Sequence, residues 1–263
     1  MQEMKNASLT SDGEQAGRKA RRIAFFGGSF DPPHRGHLAV ARAARAALGL
    51  DCVLFAPVGA QPLKAGSAAA GFEDRLAMTR LAIAGEPGFE ISLADAPRPA
   101  GEPNFTLETL AGLRAELRPE CALYCLMGAD SFMGLRSWHR AAEIPFVAPL
   151  IVASRPGQRP GEWMSGLKAA LPAGLALESV EEEKRIEGGV EVWVYMLANA
   201  AGERAPFYLL PGLDVEISAS QIRALARGRT WAAGVSDAAD REMLPAAVSA
   251  YVRTHGLYRR GQL

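Results

Sequence analysis

Two histidines three residues apart, His34 and His37, are the side chains of this 263-residue sequence best suited to chemistry on an anion. Spaced across a loop and a first helical turn, two imidazoles can face one ligand, donate hydrogen bonds to phosphoryl oxygens and stabilise charge that builds up during transfer. A second group stands near the other end, in Ile217-Ser218-Ala219-Ser220-Gln221-Ile222-Arg223. Ser218 and Gln221 have capping-box spacing, so this is a helix N-terminus that offers amides, two hydroxyls and the forked guanidinium of Arg223 to one ligand. No metal site is assigned to the histidines, because His139 and His255 are distant in sequence and no Cys-x-x-Cys accompanies them.

These groups need elements to position them. Ile23 to Phe26 is an apolar run followed by Gly27 and Gly28, and reads as a buried strand of a parallel sheet. Pro32 and Pro33 cannot lie inside a helix, so the next helix starts near Gly36 and runs through Leu38, Val40, Ala41, Ala44, Ala47 and Leu48. Gly27, Gly28, Ser29 and Phe30 then occupy the loop at the carboxyl edge of the sheet, where open α/β folds bind ligands and where a helix N-terminus favours phosphate. The stretch is neither Gly-x-Gly-x-x-Gly nor a Walker loop, which argues against a dinucleotide-binding dehydrogenase and an ordinary P-loop ATPase.

Further strands are expected over 52–58, 89–93, 122–127 and 146–154, and a strand over 190–197 pairs as a hairpin through Glu187-Gly188-Gly189. Helical spacing marks 72–84, read as packing rather than chemistry, 107–117 and 163–171. This alternation predicts an α/β, Rossmann-like doubly wound parallel sheet with flanking helices and a small C-terminal helical region. Lys64 follows the second strand and falls near the same sheet edge; Thr106 is placed to N-cap the helix after it, and Asp130 to cap a helix from Ser131. Gly128 ends a strand as the first glycine pair does, and Trp138 can serve as a core aromatic.

With 29 basic and 29 acidic residues the formal net charge is zero, so there is no global attraction for nucleic acid or an anionic membrane, and a phosphate site must be local. A small-molecule ligand is expected, with neither nucleic acid nor membrane as a partner. Cys52, Cys121 and Cys125 lie in or beside apolar runs, as small hydrophobes do, and imply no disulfide framework. The first 20 residues have no signal-peptide core and no apolar stretch reaches membrane-spanning length, so the expected location is cytoplasmic. The expected organisation is a disordered extension over 1–20 and one domain over 21–263, with a variable insertion-like segment over 158–206 and a C-terminal region of phosphate-binding motif and helices over 217–263.

Gly-Ser-Phe-Asp-Pro-Pro-His-Arg-Gly-His resembles the signature of the nucleotidyltransferase superfamily, which shares His-x-Gly-His with class I aminoacyl-tRNA synthetases, and the chain is similar to bacterial nicotinate-nucleotide adenylyltransferases. The second motif resembles the superfamily's Ile-Ser-x-Ser/Thr-x-Ile-Arg, which holds the triphosphate; Arg155-Pro156-Gly157 and the closing Leu244-Pro245 to Tyr258 stretch match as well. The resemblance implies adenylyl transfer from ATP to nicotinate mononucleotide, with phosphate-bound Mg²⁺. It assigns His34, His37 and Arg223 to catalysis. It gives Gly27, Gly28, Ser29, Phe30, Gly128, Asp130, Ser218 and Ser220 to ATP, with Asp130 on the ribose. Lys64, Thr106 and Trp138 go to the acceptor side, Trp138 bordering the pyridine. Asn104-Phe105-Thr106 stands where the family has Ser-Tyr-Thr. Nicotinamide mononucleotide or phosphopantetheine as acceptor, a non-catalytic nucleotide sensor and a homo-oligomer stay open. A tRNA-charging enzyme does not fit, since no Lys-Met-Ser-Lys-Ser-like loop is present.

Overall fold

The computed structural model describes residues 20–61, 68–154, 166–213, 217–228 and 242–259. Lys64, Arg155-Pro156-Gly157 and the N-terminal extension as far as residue 19 lie outside the described residues. Eight strands form one sheet: β1 (Arg22–Gly28), β2 (Cys52–Pro57), β3 (Phe89–Ile91), β4 (Ala122–Gly128), β5 (Leu150–Ala153), β6 (Leu175–Glu187), β7 (Val190–Asn199) and β8 (Arg204–Leu210), in the order β3-β2-β1-β4-β5-β8-β7-β6. The first six in that order run parallel, and β7 and β6 are added antiparallel. The chain leaves β1 toward β2 and β3, then returns to place β4 on β1's other side, so the crevice between β1 and β4 is the switch point at which such sheets bind ligands. Ile23 beside Leu123 and Phe25 beside Cys125 bring the glycine ends of these two strands alongside each other.

Alternation along β1 divides the core. Ile23 and Phe25 face one layer with Leu110 and Leu113 of α3 (Thr106–Glu116), Phe132 of α4 (Ala129–Met133) and Ile144 of α5 (Ile144–Val147). Ala24 and Phe26 face the other, with α1 (Arg35–Leu48), α2 (Phe72–Ile83), α6 (Ala219–Gly228) and α7 (Ala246–Thr254). In α1 the inward residues are mostly alanines, Ala41, Ala44 and Ala47 with Leu38 and Leu48, which lets the helix axis lie close to the sheet. Cys52, Cys121 and Cys125 are buried free thiols.

Several boundaries differ from the sequence reading. The expected strand over 146–154 is a short helix through Val147 followed by β5, because Pro145 occupies a first-turn position that suits a helix. The third strand stops at Ile91. The segment over 158–206 is less an insertion than part of the sheet: its hairpin β6–β7, turning through Gly188 and Gly189 as expected, pairs with β8, which itself extends the parallel sheet from β5. Of the helix expected over 163–171, residues 166–170 are helical and 163–165 lie outside the described residues.

Candidate active site

At the end of β1 the chain turns sharply through Ser29 and Phe30. Phe30 has φ 47°, a left-handed conformation that a bulky side chain rarely adopts and that clusters at functional sites. The turn drives its ring into the core, 1% exposed, and sets it edge-on beneath the His37 imidazole with centroids 5.0 Å apart. A cis Asp31–Pro32 peptide follows, and His34 becomes the N-cap of α1 with extended backbone angles.

His34 and His37 then stack on each other, ring centroids 3.7 Å apart and planes inclined by 31°. The His34 amide donates to Nδ1 of His37 at 3.1 Å, so in the neutral ring the His37 proton lies on Nε2. His34 is 7% exposed and its buried Nδ1 has no partner among the described residues. Burial lowers the His34 pKa to about 4. For His37, burial and then the neighbouring His34 push it well below its ordinary value. Both rings are therefore neutral N–H donors around pH 7, at a helix N-terminus, whose dipole favours an anion.

Asp31 is the node of the site, although the sequence reading assigns it no role. Its carboxylate is 2% exposed and accepts the Ala69 amide at 2.7 Å, the Ala70 amide at 3.2 Å and the Tyr258 hydroxyl at 2.7 Å. Its carbonyl accepts Nη1 of Arg223 at 2.7 Å, while the same nitrogen is 3.8 Å from Oδ2. Arg223 Nη2 donates to the Ser220 hydroxyl at 3.2 Å. The two motifs, separated by almost two hundred residues, thus meet directly. The expected capping box is formed, with Ser218 N–H donating to Gln221 Oε1 at 3.0 Å and Gln221 N–H to Ser218 Oγ at 3.2 Å.

A second bolt comes from Arg75. Helix α2 is more than packing: the Arg75 guanidinium, 2% exposed in the whole residue, donates to the carbonyls of Ser29 at 2.8 Å, Val58 at 2.8 Å and Ala70 at 3.3 Å. It ties the exits of β1 and β2 and the approach to α2 into one frame behind the glycine loop. Burial pulls its pKa down, and the Asp31 carboxylate opposes that shift.

On the opposite layer, Asn104 is buried and turned inward. Its Oδ1 accepts the Ala60 amide and its Nδ2 donates to the Ala96 carbonyl, both at 2.9 Å. Here Asn104 staples two loops. Gly59 lies in the same clasp, its amide donating to the Asp95 carbonyl at 2.7 Å. Asp95 itself is buried, and burial raises its pKa while the Thr109 hydroxyl donates to it at 2.7 Å.

The expected N-cap role of Thr106 is not realised: Phe105 is the N-cap and Thr106 the first helical residue, because Phe105 already holds the extended angles. The Phe105 ring lies against that of His139, centroids 4.4 Å apart, beside the half-buried Trp138, which packs on the core. Asp130 does not cap either, since the helix begins two residues earlier than expected, at Ala129, with Gly128 as its cap; Asp130 is exposed in the first turn at the end of β4. Asp31, Arg75, Asn104 and Tyr258 are the residues that sequence reasoning left without a role at the site. Only their places inside or beside recognised motifs could have marked them.

A cytidylyltransferase-like family model matches residues 25–225. A protein of Saccharopolyspora erythraea named "Probable nicotinate-nucleotide adenylyltransferase" is 38% identical over 221 residues, which cover 82% of this chain and 95% of that relative. One of the same name from Laribacter hongkongensis is 39% identical over 242 residues, covering 90% and 94%. Among solved structures, a Plasmodium falciparum nicotinic acid mononucleotide adenylyltransferase complexed with NaAD shares the fold, with a TM-score of 0.58 at 16% identity over 90% of this chain and 97% of that one. Strand order, the paired histidines at the switch point and these relatives agree: the chain belongs to the cytidylyltransferase-like family, among the nicotinate-nucleotide adenylyltransferases.

Proposed function

We propose that this chain transfers the adenylyl group of ATP to nicotinate mononucleotide, giving nicotinate adenine dinucleotide and pyrophosphate. The observation that carries the reading is the stacked, neutral His34–His37 pair at the β1–β4 switch point, with Arg223 bonded to the same loop. A phosphate oxygen of the mononucleotide attacks the α-phosphorus of ATP, the bond to the bridging oxygen breaks, and pyrophosphate leaves with the negative charge. No covalent nucleophile is needed, so catalysis consists of alignment and charge stabilisation.

His37 Nε2–H and the His34 ring donate to the triphosphate and to the charge that develops on it. Arg223, steadied by Ser220 and the Asp31 carbonyl, takes the leaving phosphates, and the backbone from Gly27 to Phe30 positions the chain of phosphates. Ser218 opens the capped N-terminus of α6 beside them, and Asp130 after Gly128 accepts from the ribose. Thr106 and Trp138 flank the acceptor, and Lys64 is assigned to its phosphate side. Mg²⁺ would be carried by the phosphates and water: Asp31 is engaged by three donors, and among the described residues no cluster of three or more His, Cys, Asp or Glu could hold an ion. When bound, the ion supplies charge neutralisation on the phosphate oxygens. None of the described helices is long and apolar enough to cross a membrane, and the cytoplasm is the compartment in which we expect the reaction.

Pyrophosphate release with ATP and Mg²⁺ tests the reading, comparing nicotinate mononucleotide, nicotinamide mononucleotide and phosphopantetheine. A higher kcat/KM for the nicotinate compound supports the assignment. Preference for another acceptor overturns the substrate, and no release with any of them overturns turnover in favour of a nucleotide sensor.

A further inference from the structure

We infer that Tyr258, near the end of the chain, is a positioning residue for the ATP half of the site, acting through Asp31 on Arg223; this rests on the adenylyl-transfer reading above. The last turn of the described chain is built to deliver this side chain. After α7 the amides of Gly256 and Leu257 bond back to the carbonyls of Arg253 and Val252, and Tyr258 itself takes a left-handed φ of 66°. Its ring is buried against the α1–α2 layer and its hydroxyl reaches Asp31 Oδ1 at 2.7 Å. The two residues are 227 positions apart.

The reason to hold Asp31 so firmly lies in its distance from Arg223. Nη1 of Arg223 bonds the Asp31 carbonyl at 2.7 Å but stops 3.8 Å short of Oδ2, outside hydrogen-bond range. Tyr258 and the Ala70 amide occupy Oδ1, and the Ala69 amide occupies Oδ2, so the carboxylate cannot rotate to meet the guanidinium fork. Removing the hydroxyl leaves Oδ1 with only the 3.2 Å bond from Ala70. The carboxylate can then close on Arg223 in a bidentate pair, which turns the guanidinium away from incoming phosphate and neutralises it. Burial and the Asp31 charge push the Tyr258 pKa up, so the hydroxyl stays a donor at every pH at which the protein would be assayed. The other charged group near Asp31, Arg75, is held by three backbone carbonyls and cannot substitute for Arg223.

Tyr258→Phe removes one oxygen and keeps the ring. ATP affinity, measured by calorimetry with Mg²⁺ and without acceptor, is expected to fall about tenfold, the factor typical of losing one hydrogen bond to a charged group. KM for the acceptor is expected to stay within about twofold. In an Arg223→Ala background the same substitution should have no further effect on ATP affinity, since the residue through which it acts is gone. Unchanged ATP affinity, equal movement of both substrates, or full additivity with Arg223→Ala would each reduce Tyr258 to a core residue. Wild-type protein that binds ATP but does not turn over nicotinate mononucleotide overturns the function and leaves this test intact; wild-type protein that does not bind ATP overturns both.

Discussion

Replacing His37 by alanine removes a single donor whose surroundings are fully specified. Its Nδ1 is occupied by the His34 amide at 3.1 Å, so Nε2–H is the group it offers to substrate. That donor is fixed before substrate arrives, by the Phe30 ring below it and the His34 ring 3.7 Å beside it, and it requires no reorganisation as charge develops. Loss of one such preorganised donor costs roughly 10² to 10³ in kcat, or about 3–4 kcal/mol. The His34 amide also loses its acceptor, at about 1 kcal/mol of folding stability, which is small enough for the variant to fold. Turnover is read as pyrophosphate release at saturating ATP and acceptor, with thermal unfolding as the folding control. His37→Gln, which retains a side-chain N–H, should recover part of the loss. The neutral state adds a pH signature. Because both imidazoles are held below their ordinary pKa, kcat/KM for ATP, which reports the free enzyme, should show no acid limb near pH 6.5 from these rings. A folded His37→Ala variant with kcat within about threefold of wild type would remove the ring from the mechanism, since a lost transition-state donor of this kind cannot cost so little. An acid limb near pH 6.5 that disappears in the variant would show that the ring keeps an ordinary pKa, whereas a loss of kcat/KM as the pH rises through 6.5, absent from the variant, would show that the imidazolium is the working form.

The buried pair also makes stability depend on pH. With a folded pKa of about 4, His34 stays neutral where the unfolded chain takes up a proton, so stability is complete above about pH 6.5 and declines as the pH falls toward 4, by at most roughly 3 kcal/mol; urea unfolding between pH 4 and 7 measures the slope, and a flat profile contradicts the assignment. Arg75→Lys keeps the charge but not the fork that bridges Ser29, Val58 and Ala70, so a loss of about 2–3 kcal/mol is expected in the same assay, and a neutral result would mean that those carbonyls need no partner. Gly59→Ala places a Cβ 2.4 Å from the Pro97 backbone, which must shift; a loss of about 1–3 kcal/mol in thermal unfolding is expected, and an unchanged Tm would show that the clasp gives way freely.

What could be read in advance was whatever rests on local pattern. The apolar run after Arg22, the proline pair that delays α1 and the Ser218–Gln221 spacing each act within a few residues, and each led to the right element. Misreadings arose where two local rules competed. Phe146 and Val147 are good strand residues, yet Pro145 at a helix first turn decided their conformation. β8 escaped notice because Pro206 interrupts its apolar pattern; it is tolerated there, paired opposite Met196. The frame around Asp31 was illegible for a different reason: its partners come from the approach to α2, from α6 and from the C-terminal turn, and no spacing rule connects residues so far apart.

The hairpin β6–β7 curls back over α1. Val190 and Val192 join the layer that buries α1, and Gly188, at φ 56°, comes so close that a Cβ there would lie 2.7 Å from the Ala46 carbonyl. Helix α1 is therefore gripped at its final turn by the segment that the sequence reading takes as a variable insertion, and at its first turn by the histidine pair. The part of the chain with the weakest signature works as an abutment for the part with the strongest. Amide exchange along α1 should on this view be slow at both ends, where an isolated helix frays, and the histidines inherit their immobility from a ribbon packed at the helix's other end.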